Sequence, residues 1–250
     1  MDKPPQGAAW ISGGGGECEP DTAPERVYHL VLLGAPGVGK GTQASLLAER
    51  LGPCHLSTGD LFRAAPELDP CDHTPALAAA LEHMRRGDLV PDVTVLGLVR
   101  ERRGCLRCRG GFLLDGFPRT MAQAEALDRI LTAEHVRLDA VLDYQLPLEQ
   151  VVARLGGRRS CASCQAVYHL QARSPRRKGV CDRCGGRLER REDDRPRAVR
   201  VRLGAYEHDT APLSEHYNRR GLLQVVSAEG SPEEVYARSL LALAQPGSRP

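Results

Sequence analysis

The sequence predicts an α/β fold: a doubly wound parallel sheet of about five strands, carrying two insertions. Three observations lead there. Short apolar runs alternate with helical patterns along most of the chain. The first of these runs, Val27–Leu33, feeds straight into a glycine-rich turn and a helix. The length, 250 residues, suits one α/β core plus an inserted module.

Each element has its own signal. Residues 1–26 hold Gly13–Gly16, several prolines and no periodic pattern, so a disordered extension is expected. Val31, Leu32 and Leu33 read as a buried parallel strand. Lys40–Leu51 reads as a helix with Leu46, Leu47 and Leu51 on one face. Cys54–Leu56 is a short strand, and Ser57-Thr58-Gly59-Asp60 can cap the next helix. Pro66, Pro70 and Pro75 then break the chain. Helical spacing returns over Pro75–Arg86 and again from about Pro91 to Arg102. Gly111–Leu114 and Ala140–Leu146 are strands, separated by a helix over Thr120–Leu131 and followed by one over Leu148–Leu155. A cysteine- and arginine-rich insert spans roughly 157–194. Pro196 opens a long helix to about Tyr217, Leu222–Ser227 is the last strand and Pro232–Leu243 the last helix.

The turn after the first strand carries chemistry. Gly34, Gly37, Gly39 and Gly41 allow consecutive N–H groups to face one hollow, at the positive end of the following helix. A phosphate is its natural occupant. Lys40 supplies a point charge for the outer phosphates, and Thr42 can reach a phosphate or a magnesium-bound water. The spacing Gly34-x4-Gly39-Lys40 fits a P-loop, with Gly41 standing between the lysine and the hydroxyl residue.

Cys161-x2-Cys164 and Cys181-x2-Cys184 have the spacing of a four-thiolate zinc site. Such a site is closed, which makes it structural; two disulfides or four thiols are the alternatives. Cys105-x2-Cys108 has no matching pair and reads as an incidental loop feature, and Cys18, Cys54 and Cys71 receive no role.

From Arg158 to Arg195 the insert is markedly basic, whereas the chain as a whole is only +2. That local lobe suits a small polyanion better than a long duplex. Asp115-Gly116-Phe117-Pro118-Arg119-Thr120 ends a strand, where open α/β sheets bind ligands. The acid can hold magnesium through water and Arg119 can face phosphate; equally, the segment can be only a capping turn. No apolar run approaches the length of a membrane span, and no secretory leader is visible. A cytoplasmic, monomeric protein is expected, with no nucleic-acid or membrane partner.

Together these motifs resemble the adenylate kinase family, in its long form with a zinc-bearing lid. The resemblance covers about 27–243. It rests on Gly34–Thr42, Ser57–Arg63, Asp88-Leu89-Val90-Pro91-Asp92, Asp115–Thr120, and the stretch from Gly157-Arg158-Arg159 through Val167-Tyr168-His169 to Arg191–Asp194. It implies a core of 27–56, 91–156 and 195–250, with an AMP-binding helical flap inserted at 57–90 and a zinc-binding lid at 157–194. It implies that Gly37, Val38, Gly39, Lys40, Gly41 and Thr42 cradle ATP, aided by Arg154, Arg158, Val167, Tyr168 and Gly230. Thr58, Arg63, Asp88, Leu89, Val90, Gly116, Phe117, Pro118, Arg119 and Gln123 would hold AMP. Arg119, Arg158, Arg191 and Arg202 would converge on the transferred phosphoryl group, with Lys40 following it and Asp115 orienting magnesium. The implied reaction is MgATP + AMP ⇌ 2 ADP, and Cys161, Cys164, Cys181 and Cys184 would bind structural Zn2+. A kinase for UMP or CMP is the near alternative. A zinc-ribbon protein binding nucleic acid is the distant one. The prolines between Arg63 and Leu77, with Cys71 and His73, depart from the family's helix there and imply a reshaped flap.

Overall fold

A computed structural model describes residues 10–11, 26–65, 68–69, 73–86 and 90–244. The central sheet holds β1 (Tyr28–Gly34), β2 (Cys54–Ser57), β3 (Gly111–Asp115), β4 (Ala140–Gln145) and β8 (Leu223–Ser227), all parallel, in the order β2-β3-β1-β4-β8. Three further strands, β5 (Arg158–Cys161), β6 (Val167–His169) and β7 (Leu188–Glu189), form a separate small antiparallel sheet in the order β6-β5-β7.

The period-two side-chain alternation of a strand explains the layering. Val31 and Leu33 of β1 join one hydrophobic cluster with Leu56, Phe112, Leu114 and Val141. Leu30 and Leu32, pointing the other way, join a second cluster with Leu113, Leu142 and Tyr144. Both faces are therefore covered, as a parallel sheet requires. The second cluster takes in α1 (Lys40–Leu51) through Ala44 and Leu47, and α9 (Pro232–Ala244) through Val235, Tyr236 and Leu243. The first takes in α2 (Thr58–Ala64), α3 (Pro75–Arg86), α4 (Asp92–Glu101), α5 (Met121–Ala133) and α8 (Pro212–Arg219). Between these, α6 (Leu148–Gly157) and α7 (Pro196–Ala205) share a smaller cluster through Val151, Leu155 and Val199.

Three sequence expectations change. The long helix from Pro196 is interrupted by a π-helical turn at Tyr206–Thr210, where Ala211 N–H bonds Tyr206 O at 2.8 Å. Pro212 has no N–H for the ordinary ladder, and its ring displaces the preceding turn. Cys105 and Cys108 are not a loose loop: they sit on and beside a 3-10 turn (Arg103–Arg107), are 0% and 3% exposed, and belong to the main core. Within the expected disordered extension, Trp10 is buried at 1% exposure. Residues 1–9 and 12–25, Cys18 among them, lie outside the described residues, as do Pro66, Pro70, Cys71, Asp88 and Leu89.

Candidate active site at the carboxyl edge of the sheet

The parallel strands bring Gly34, Ser57, Asp115 and Gln145 to one edge, with Ser57 in register with Asp115 and Gly34 with Tyr144. There Gly37 (φ 86°) and Gly39 (φ 114°) adopt the left-handed conformation that lets the loop turn into α1. A Cβ on Gly37 would stand 2.5 Å from Leu155 Cγ, so the loop also closes tightly on α6. Lys40 Nζ folds back to donate to Gly34 O at 2.5 Å and Ala35 O at 3.0 Å. Burial pulls its pKa down to about 8, Asp115 pulls it back up, and Arg119 and Arg202 add to the fall.

Asp115 is balanced in the opposite sense. Burial raises its carboxyl pKa, but His55, Lys40 and Arg119 outweigh that and hold it lowered. His55 Nε2 lies 3.6 Å from Asp115 Oδ2, a neighbour the motif reading missed. A side chain on Gly41 would begin 3.5 Å from the same oxygen, so the glycine between Lys40 and Thr42 faces the acid at ordinary contact distance.

The opposite wall is built by α2, α4 and α5. Ser57 Oγ caps α2 by accepting from Asp60 N at 3.1 Å. Thr58 Oγ1 donates to Gly116 O at 3.0 Å, and Arg63 pairs with Asp60. Arg119 Nε donates to Gly116 O at 2.7 Å. Burial in the cleft, Arg202 and Arg63 lower the Arg119 pKa, although its side chain remains open to solvent on one side. Gln123 is 4% exposed, and both ends of its amide are engaged: Oε1 accepts from Arg119 N at 2.8 Å and Nε2 donates to Asp92 Oδ1 at 2.6 Å. Thr120 Oγ1 caps α5 and donates to Asp92 Oδ2 at 2.6 Å. Asp92 is thus a connecting acid that the sequence reading did not assign. Phe117 and Pro118 are buried. Val90 packs against the main core.

On the other side, Arg154 joins two distant segments. Its Nη1 donates to Val38 O at 2.9 Å and its Nη2 to Ala228 O at 2.9 Å and Gly230 O at 3.4 Å. Arg154 therefore joins the glycine loop to Gly230. The remaining arginines are paired to acids or a hydroxyl. Arg158 makes a two-pronged contact with Asp194, which is fully buried, with Nε–Oδ2 at 2.7 Å. Arg202 Nη1 lies 2.9 Å from Asp193 Oδ2, and Arg191 Nε donates to Ser160 Oγ at 2.6 Å. Burial, Arg63 and Arg158 lower the Arg191 pKa to about 10. This mutual depression describes a concentration of positive charge suited to phosphates.

The lid begins where α6 passes into β5. A Cβ on Gly157 would fall 2.2 Å from His169 Nε2, so the imidazole fills the space a side chain would need. Beyond it, the sulfurs of Cys161, Cys164, Cys181 and Cys184 all lie within 4.8 Å of one another. The pairs Cys161–Cys184 and Cys164–Cys181 stand at 3.4 and 3.6 Å. Tetrahedral thiolates at ~2.3 Å from zinc would be roughly 3.8 Å apart, so the quartet fits. Both knuckles use the same turn: Gln165 (φ 58°) and Gly185 (φ 74°) each follow the second cysteine of a pair. The Tyr168 hydroxyl, 3.5 Å from Cys181 Sγ, lowers that thiol to about 6, whereas burial raises Cys164 to about 12. Four sulfurs this close cannot all ionise without a cation between them.

A parallel sheet with a phosphate loop at its carboxyl edge, a half-buried lysine and arginines arriving from two insertions defines a P-loop protein that handles phosphorylated nucleotides. A profile described as "Adenylate kinase" matches residues 32–222. The adenylate kinase of Carboxydothermus hydrogenoformans is 47% identical over 83% of this chain and 95% of its own length. That of Acidothermus cellulolyticus is 48% identical over 86% and 97%. That of Streptomyces griseus is 46% identical over 86% and 97%. The chain belongs to the adenylate kinase family, and it is an ATP:AMP phosphotransferase. Among the described residues, no helix is long and apolar enough to cross a membrane.

Proposed function

We propose that this chain interconverts MgATP and AMP with two ADP through the following division of roles. Gly37–Thr42 hold the donor's phosphates, and Arg154 and Gly230 flank its base. Arg158 and the Val167-Tyr168 backbone cover the donor from the lid. Thr58, Arg63, Asp88–Val90, Gly116–Arg119 and Gln123 hold the acceptor. Gln123 is pre-set for this by Asp92, which fixes which end of the amide points where. Lys40, Arg119, Arg158, Arg191 and Arg202 neutralise the phosphoryl group in transfer.

The observation that carries this reading is geometric: the glycine turn that holds Lys40 closes on Asp115, with Gly41 facing its carboxylate, and Arg119 Nε bonds Gly116 O beside it. Asp115, Arg119 and Arg202, from separate segments, all act on the Lys40 charge. No nucleophile on the protein is required, because the phosphate of AMP attacks directly and the protein supplies alignment and charge. Lid closure keeps water from competing. Magnesium, bound with ATP, would neutralise the outer phosphates, and Asp115, whose carboxyl stays ionised, would hold it through water. Zinc would cross-link the lid through its four cysteines. The protein acts as a cytoplasmic monomer without a nucleic-acid partner.

A coupled assay with AMP, CMP, UMP and GMP tests the acceptor, with AMP expected to be favoured; preference for a pyrimidine nucleotide would overturn the reading. Lys40→Ala should lose most turnover while keeping its melting temperature, and near-normal turnover would remove Lys40 from its assigned role.

A further inference from the structure

Trp10 precedes the region that matches the family profile. It nevertheless lies within the main hydrophobic cluster, together with Leu61 of α2, Ala65 just beyond it, Leu77 of α3 and Leu98 of α4. Its indole Nε1 donates to Ser57 O at 3.1 Å, in a buried setting. That oxygen belongs to the peptide unit joining Ser57 to Thr58. Ser57 caps α2, the helix that presents Arg63.

Trp10 is held from the other side as well. Its carbonyl accepts from Arg102 Nε at 2.6 Å. Arg102 follows α4 and is 2% exposed, and its other contacts, to Thr74, Leu98 and Glu101, are longer at 3.4–3.5 Å. A buried guanidinium needs such partners. One residue therefore bonds both the entrance of the acceptor insert, at Ser57, and the helix that follows its exit, at Arg102.

We propose that Trp10 is a positioning residue of the acceptor site. It fixes the Ser57–Thr58 peptide and ties the two ends of the acceptor insert together, so that Thr58 and Arg63 stand ready for AMP. This rests on the assignment of Thr58 and Arg63 to AMP. A purely structural role would lower stability without separating the two substrates; positioning moves AMP alone.

The test uses the full chain as wild type, Trp10→Phe, Trp10→Ala and Arg63→Ala, measuring KM for AMP, KM for ATP, kcat and melting temperature. Trp10→Phe keeps the aromatic volume and loses the hydrogen bond. It should raise KM for AMP about fivefold, the scale of one buried hydrogen bond, while KM for ATP and kcat stay within about twofold. Trp10→Ala should move further in the same direction; should it fail to fold, Trp10→Phe decides. Arg63→Ala checks the underlying assignment, since an unchanged KM for AMP there would mean that the acceptor site is misplaced. If Arg63→Ala raises KM for AMP while Trp10→Phe leaves it unchanged, or raises both KM values together, the positioning role is overturned.

Discussion

With Lys40 facing the donor's phosphates as proposed, ATP binding becomes sensitive to pH in a calculable way. The lysine's pKa is lowered to about 8, first by burial and then by Arg119 and Arg202. A lowered lysine pKa means that the free protein loses this charge as pH rises through about 8, whereas an unperturbed lysine would keep it to beyond 10. Bound phosphates stabilise the charged form, so ATP binding above that point must take up a proton. The affinity penalty is the factor 1 + 10^(pH − pKa). Between roughly pH 7.5 and 9.5 that factor grows by about 25-fold. The outer phosphate, with its last pKa near ~6, stays fully ionised over this window and adds no slope. Calorimetric titration of ATP in two buffers of different ionisation enthalpy reads both affinity and proton uptake. The expected result is weakening of about 25-fold, with uptake approaching about one proton at the upper limit. Lys40→Ala should bind weakly throughout and lose this dependence. A flat wild-type profile with no proton uptake would refute the reasoning, because it would place the Lys40 charge outside the donor site or leave its pKa unperturbed.

Other outcomes follow from the lid and the acceptor wall. Elemental analysis should find about one zinc per chain, and chelation should expose the lid to protease before the core melts; metal-free protein with an unchanged lid would contradict the structural site. Asp194→Asn removes the negative charge and one of the two acceptors that hold the half-buried Arg158, and a loss of about 3 kcal/mol is expected by denaturant titration. Thr120→Ala removes a helix cap and one ligand of Asp92, so about 1–2 kcal/mol should be lost, with a raised KM for AMP because Gln123 is less firmly oriented.

What the sequence made legible was local. The run Leu30–Leu33 announced a strand covered on both faces, because every residue in it is apolar, and the structure buries all four. The P-loop and the clustering of the cysteine pairs were readable because both depend on spacing along the chain. The capping segment Ser57–Asp60 was recognisable for the same reason, whereas Thr120, read as the first residue of its helix, is the cap itself. The features that escaped are contacts between distant residues. Trp10 meets groups 47 and 92 positions away, and nothing in its glycine- and proline-rich surroundings hints at a partner. Asp92 reaches Gln123 across 31 positions, and His55 approaches Asp115 only because β2 and β3 are neighbours. The π-helical turn was partly visible, since Pro212 stood inside the expected helix, but apolar spacing on both sides of it hid the break.

The junction at Gly157 bears on how lids can be exchanged between relatives. A bare α-carbon on one side of the joint is matched to an imidazole on the other, twelve positions along the chain by simple numbering from Gly157 to His169. A side chain at Gly157 would require the imidazole to move aside. A lid grafted from a relative would therefore carry its own hinge only if the transplant began before Gly157 and included His169. Cut between them, the graft would retain its metal knuckles yet meet the core with either a collision or a gap.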